Sequence, residues 1–152
     1  PSLIRASADE LSYHLHVLLR YELEVAMISG DLNVSDLAQV WNDRSVSLIG
    51  INPTSDLRGV LQDGHWAAGM FGYFPTYTLG SLYAAQLTEA YATTAGLDEQ
   101  IARGEFAPLR TWLRDNIYVS GDHVPTEDLV KRVTGKALDV DAYFRHIEQK
   151  FI

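Results

Sequence analysis

The sequence has 152 residues, 47% of them apolar and 21% charged, a length and composition that fit one domain able to bury roughly 70% of its unfolded surface. Twelve Lys and Arg stand scattered against twenty Asp and Glu, a net charge of -8, which excludes nucleic-acid partners that demand massed cations. The absence of cysteine excludes disulfides, thiolate metal sites and a thiol nucleophile, and the apolar runs are too short to span a bilayer, so no membrane partner and a cytoplasmic setting are expected.

Ser7-x-x-Glu10 has the spacing of a capping box, so a first helix is predicted to begin there and to run to a left-handed stop at Gly30. Its apolar residues fall on two faces, Leu11, Leu15 and Leu18 on one and Tyr13, Val17, Tyr21, Val25 and Ile28 on the other, as in a helix lying between neighbours. The remaining stripe, Ser12, His16, Arg20 and Glu24, repeats every four residues and offers an Arg20–Glu24 ion pair. Ser35 is predicted to cap a second helix ending near Ile49, with Leu37, Val40, Trp41, Val46 and Leu48 inward and Gly50 as its stop. Residues 52–56 form a turn cluster within the same domain, since apolar periodicity resumes at once.

A third helix is predicted from Pro75, with Tyr77, Gly80, Ala84, Leu87 and Tyr91 on one face and Gly80 and Ala84 admitting a close backbone. Gly96 ends it and Asp98 caps a short helix. Pro108 opens another with Leu109, Trp112, Leu113 and Ile117 inward, and Thr126 and Asp139 cap two more. No useful strand alternation or internal repeat occurs, so the fold class is all-α, one compact multi-helix lobe over residues 1–152.

Residues 59–77 concentrate glycines, aromatics, His65 and the pair Gln62-Asp63, a mixture that neither a core helix nor a solvated loop requires. The five histidines include no pair four apart on a helix with an acid between them, and no nucleophile elbow or phosphate loop occurs, so no metal ligand and no complete catalytic set is expected within the chain. On residue chemistry alone His65 is either a packed residue beside Trp66 or a hydrogen-bond donor at a site. Tyr73 and Tyr77 either pack or present phenolic hydroxyls. Arg5 can hold a carboxylate bidentately or pair with Asp9 one helical turn on, the second being slightly favoured.

Gly59-x-x-Gln62-Asp63-x-His65-Trp66, then Gly72-Tyr73-Phe74-Pro75-Thr76-Tyr77, with Ile4-Arg5-Ala6-Ser7-Ala8-Asp9 before them and Asp98-Glu99-Gln100-Ile101-Ala102-Arg103-Gly104-Glu105-Phe106 after, resemble in order and spacing the C-terminal part of the carboxypeptidase Taq family, thermostable zinc metallocarboxypeptidases. The H-E-x-x-H and H-E-S segments by which that family holds zinc do not occur here. The resemblance therefore implies a C-terminal third of a helical zinc peptidase that releases C-terminal residues from peptides, inactive alone, with zinc in the full-length enzyme. Its expected partners are the peptide C-terminus, the missing N-terminal part and, as a homodimer, a second copy. It implies His65 and Tyr77 as catalytic residues, Tyr77 facing the oxyanion. Tyr73 and Arg5 are expected to bind substrate, and Gln62, Asp63 and Asp9 to support them. The alternative is a non-catalytic helical module that retains the lobe for interaction.

Overall fold

The computed structural model describes residues 2–152, with the backbone alone at Ala95. Seven α-helices and no strand occur among them: α1 Tyr13–Ser29, α2 Leu37–Ile49, α3 Pro75–Ala95, α4 Leu97–Arg103, α5 Ala107–Asn116, α6 Thr126–Thr134 and α7 Val140–Phe151. The chain is all-α. Its contacts separate it into two compact units, the first ending at Leu79 and the second running from Gly80 to Ile152, so the boundary falls inside α3.

In the first unit α1 packs on α2 around Leu19, Leu23, Leu37, Trp41 and Ile49, with Leu15, Met27, Val60 and Trp66 against that cluster. Both helices end where expected, Gly30 and Gly50 taking φ of 83° and 81° that a Cβ would strain. The start of α1 differs from expectation. Ser7 belongs to a 3-10 turn, Arg5–Ser7, and the helix begins only at Tyr13. Asp9, not Ser7, satisfies its first amides: Oδ1 accepts from the Ser12 amide at 2.8 Å and hydroxyl at 2.9 Å, and the Asp9 carbonyl accepts from Tyr13 at 2.9 Å. The carboxylate is the stronger acceptor for an end that carries partial positive charge. Those bonds hold the Asp9 carboxyl below its ordinary pKa.

Burial along residues 11–28 also departs from the apolar pattern, although Leu15 and Val17 of the two expected faces do turn inward. Leu11, Leu18, Tyr21, Val25 and Ile28 are exposed, whereas the polar stripe Ser12, His16, Arg20 and Glu24 is buried with Val17, Leu19 and Leu23. Burying that stripe is tolerable only because each member finds a partner, Ser12 in Asp9, His16 in the Ser2 carbonyl, and Arg20 and Glu24 in residues 62–72, as buried polar groups require. In α2, Val46 is exposed and Ser45 buried, its hydroxyl donating to the Ile51 carbonyl at 2.8 Å.

The second unit is organised around Gln86 and Tyr91 of α3. Gln86 donates to the Ala137 carbonyl at 2.8 Å and accepts from the Asp139 amide at 3.0 Å, and the buried Tyr91 hydroxyl donates to Gln100 at 2.6 Å. Gly80 and Ala84 are exposed, and a Cβ built at Gly80 meets nothing within 4 Å, so no backbone uses that small pair among the described residues. The inward face of α3 turns instead toward Gln86 and Tyr91. Asp139 caps α7 as expected, accepting from the Asp141 amide at 3.0 Å, while Gly96 and Pro125, not Asp98 and Thr126, stand at the caps of α4 and α6.

Candidate functional site

Every residue singled out for the site lies in the first unit, on three pieces of chain: the N-terminal turn, the loop 59–74 and the first turn of α3. The loop takes its shape from short backbone bonds, Ala68 to Gly64 at 3.0 Å, Gly69 to Trp66 at 3.0 Å and Met70 to His65 at 2.9 Å. A Cβ at Gly59 would crowd Pro53 at 3.2 Å and the Ser55 carbonyl at 3.3 Å, so those neighbours would have to give by a few tenths of an ångström. Gly72 takes φ of 75° just before Tyr73. Pro75 then starts α3, and Tyr77 follows within its first turn.

His65 and Tyr77, twelve residues apart, meet through imidazole Nε2 and the phenolic hydroxyl at 2.9 Å. Phe74, 1% exposed, lies against the His65 ring at 4.5 Å between centroids and prevents it from turning away. Tyr73 stands edge-on to Tyr77 at 5.4 Å and is 41% exposed, so its hydroxyl remains in reach of an incoming molecule. The other ring nitrogen, His65 Nδ1, is buried, makes no hydrogen bond and faces Asp63 Oδ1 at 4.0 Å, too long for one.

Asp63 is the hinge of the arrangement. Its Oδ1 accepts from Arg5 Nε and Nη2 at 3.1 and 2.8 Å, and its Oδ2 accepts from Arg20 Nε at 2.7 Å with Nη2 at 2.6 Å. Burial pushes the Asp63 carboxyl toward protonation, but the two guanidiniums outweigh it and hold its pKa below the ordinary value. Arg5 therefore pairs with Asp63 and not with Asp9, and Arg20 pairs with Asp63 and not with Glu24. The reason is desolvation: a buried guanidinium needs a carboxylate at bidentate range, and Asp9 is engaged at the start of α1. Arg5 also donates from Nη1 to the Tyr13 hydroxyl at 3.0 Å and lies over the Tyr77 ring at 4.7 Å. Gln62 holds the backbone of the same turn, accepting from the Arg5 amide at 2.9 Å and donating to the Arg58 carbonyl at 3.0 Å.

Four participants were not singled out from the sequence. Arg20, 1% exposed, lies over Trp41 at 4.7 Å and donates to the His16 carbonyl at 2.7 Å. Glu24 accepts from the Trp66 indole at 2.7 Å and from the Gly72 amide. His16 meets the Ser2 carbonyl at 2.9 Å, and burial together with Arg20 lowers its pKa. Phe74 lies under the Arg20 guanidinium at 5.6 Å and against the Trp66 ring at 5.8 Å. The one signal in the sequence was the fourfold spacing of the α1 stripe between two apolar ones. Among the described residues no group of three or more His, Asp or Glu is placed to hold a metal, so the side chains present do not fit a resident metal ion. None of the described helices is long and apolar enough to cross a membrane.

Residues 1–151 match the profile of the carboxypeptidase Taq (M32) metallopeptidases. The chain belongs to this family. Thermostable carboxypeptidase 1 of Thermus thermophilus is 45% identical over 152 residues, which are 99% of this chain and 30% of that protein, and carboxypeptidase 1 of Bacillus subtilis is 41% identical with the same coverage. A solved structure of Pyrococcus furiosus carboxypeptidase superposes with a TM-score of 0.95 at 39% identity, covering 100% of this chain and 31% of that one. The chain thus spans about 30% of the length of the M32 relatives it matches.

Proposed function

We propose that this chain is the C-terminal helical lobe of a zinc-dependent metallocarboxypeptidase that releases C-terminal amino acids from peptides, and that it supplies the substrate-binding and oxyanion-stabilising wall. The observation that carries this reading is the His65–Tyr77 hydrogen bond, mounted on a buried Asp63 clamp, in a member of the M32 family. Zinc enters the reading as a group whose ligands lie outside these residues. Homodimeric assembly and a cytoplasmic setting belong to it as expectations from the family resemblance.

The roles follow from donors and acceptors. With the imidazole neutral, a proton on His65 Nδ1 faces the Asp63 carboxylate and Nε2 accepts from Tyr77, so the phenol is held at a fixed point in the resting site. Negative charge developing on a scissile carbonyl oxygen draws the Tyr77 proton away from His65 Nε2 toward itself, and because the phenol oxygen is already fixed only the O–H bond has to turn. Tyr73 contacts the substrate backbone or its terminal carboxylate. Arg5 keeps one further proton on each of Nη1 and Nη2 for the same carboxylate while Asp63 fixes its plane. Because charge on the oxyanion exists only in the transition state, Tyr77→Phe in the complete protein should lower kcat roughly 10²-fold to 10³-fold and leave KM nearly unchanged. Wild-type turnover in Tyr77→Phe with a defect in Tyr73→Phe would exchange the two roles. Wild-type turnover in both, or a complete protein that releases no C-terminal residue, would remove the reading.

A further inference from the structure

Sequence spacing pairs Glu24 with Arg20, yet the folded chain turns its carboxylate the other way, into the loop that carries the site. Glu24 is 7% exposed, and each of its oxygens takes one donor: Oε2 the Trp66 indole at 2.7 Å, Oε1 the Gly72 amide. Those two donors bracket the loop. Trp66 directly follows His65, and Gly72 directly precedes Tyr73 and stands five residues before Tyr77. Trp66 is fixed further by edge contacts with Trp41 at 6.2 Å and Phe74 at 5.8 Å, so a tie to its indole is transmitted to the neighbouring histidine.

We infer that Glu24 is a positioning residue for the His65–Tyr77 pair, closing the loop 66–72 by one carboxylate so that the imidazole and the phenol remain at hydrogen-bond distance. It touches neither ring and acts through Trp66 and Gly72. A buried carboxylate suits this task because it accepts at both oxygens without offering a proton, whereas an amide presents an N–H to one of the two donors. The inference rests on the proposed peptidase reading for its catalytic consequence, but its geometric content stands apart from it.

The test is Glu24→Gln, nearly unchanged in volume, read in two ways. In this chain, nitrogen-detected histidine NMR reports the His65 Nε2 shift and its response to Tyr77→Phe. In wild type Tyr77→Phe should move the Nε2 signal, and in Glu24→Gln that response should fall by at least half while the far-UV helical signal is kept. In the complete protein Glu24→Gln should lower kcat about 10-fold with KM within about twofold, since the ground-state contacts of the substrate remain. An undiminished NMR response in folded Glu24→Gln overturns the inference whatever the enzyme does. A diminished response with unchanged kcat keeps the positioning role and counts against the catalytic reading of His65 and Tyr77. Should Glu24→Gln not fold, Glu24→Asp keeps the charge and withdraws the carboxylate by one methylene, and the same response should again be reduced. If neither variant folds, Glu24 is a determinant of the fold and the specific positioning role is rejected.

Discussion

Replacing Asp63 by asparagine should be among the most destabilising polar substitutions in the first unit, and charge counting shows why. The carboxylate serves Arg5, whose side chain is 11% exposed, and Arg20, 1% exposed, at 2.8 and 2.6 Å. Asp63→Asn leaves two buried guanidiniums facing one neutral amide. Removing one partner of a buried pair costs about 3–5 kcal/mol, and the second arginine places this case near 4 kcal/mol, a large share of a typical total of about 5–15 kcal/mol. Arg20→Met is the contrast, because it leaves Arg5 and Asp63 as a balanced pair and keeps an aliphatic stem against Trp41. It forfeits the bonds to Asp63 and to the His16 carbonyl but also the burial penalty of the charge, for a net loss of about 1–2 kcal/mol. Urea unfolding followed by tryptophan fluorescence in a Trp112→Phe background isolates the first unit, which then holds Trp41 and Trp66 alone. For a unit of this size a loss near 4 kcal/mol should lower the midpoint of thermal unfolding by about 16–32 °C. Arg20→Met costing as much as Asp63→Asn, or Asp63→Asn costing under about 1 kcal/mol, would refute the reasoning.

Acid should weaken the fold in two stages. His16 has a folded pKa below its reference of 6.5, chiefly through burial, so the unfolded chain takes up its proton first and stability falls as pH drops from about that value; Asp63, held below its reference of 3.8, adds a loss as pH falls below that reference toward its folded pKa. Stability that is flat from pH 7 to pH 4 would contradict the first stage. With no ligand cluster among its described residues, the chain should retain no stoichiometric zinc after dialysis, and elemental analysis giving about one zinc per chain would overturn that expectation. The exposed Leu11 before α1 and Leu18, Tyr21, Val25 and Ile28 on it should drive self-association, or association with the remainder of a longer protein, read as a concentration-dependent mass in light scattering. A monomer at all concentrations that binds no apolar dye would speak against it.

The sequence by itself determined the helical class and most of the punctuation. Gly30, Gly50, Pro75 and Asp139 act through φ, a missing N–H or a cap bond within a few residues, and such rules are local enough to be visible in a string. Residues 59–77 stood out for their composition, and their spacing together with that of Ile4 to Asp9 carried the family resemblance. Which groups pair was decided only by the tertiary structure. Arg5 could take the carboxylate four residues on or one 58 residues away, and it takes the distant one; Arg20 reaches across 43 residues to the same acid. The stripe on α1 could equally have faced water. What chose burial was the supply of matched partners from the loop, because a guanidinium or carboxylate leaves water only where hydrogen bonds and an opposite charge replace its hydration, and that replacement exists only once the chain has folded.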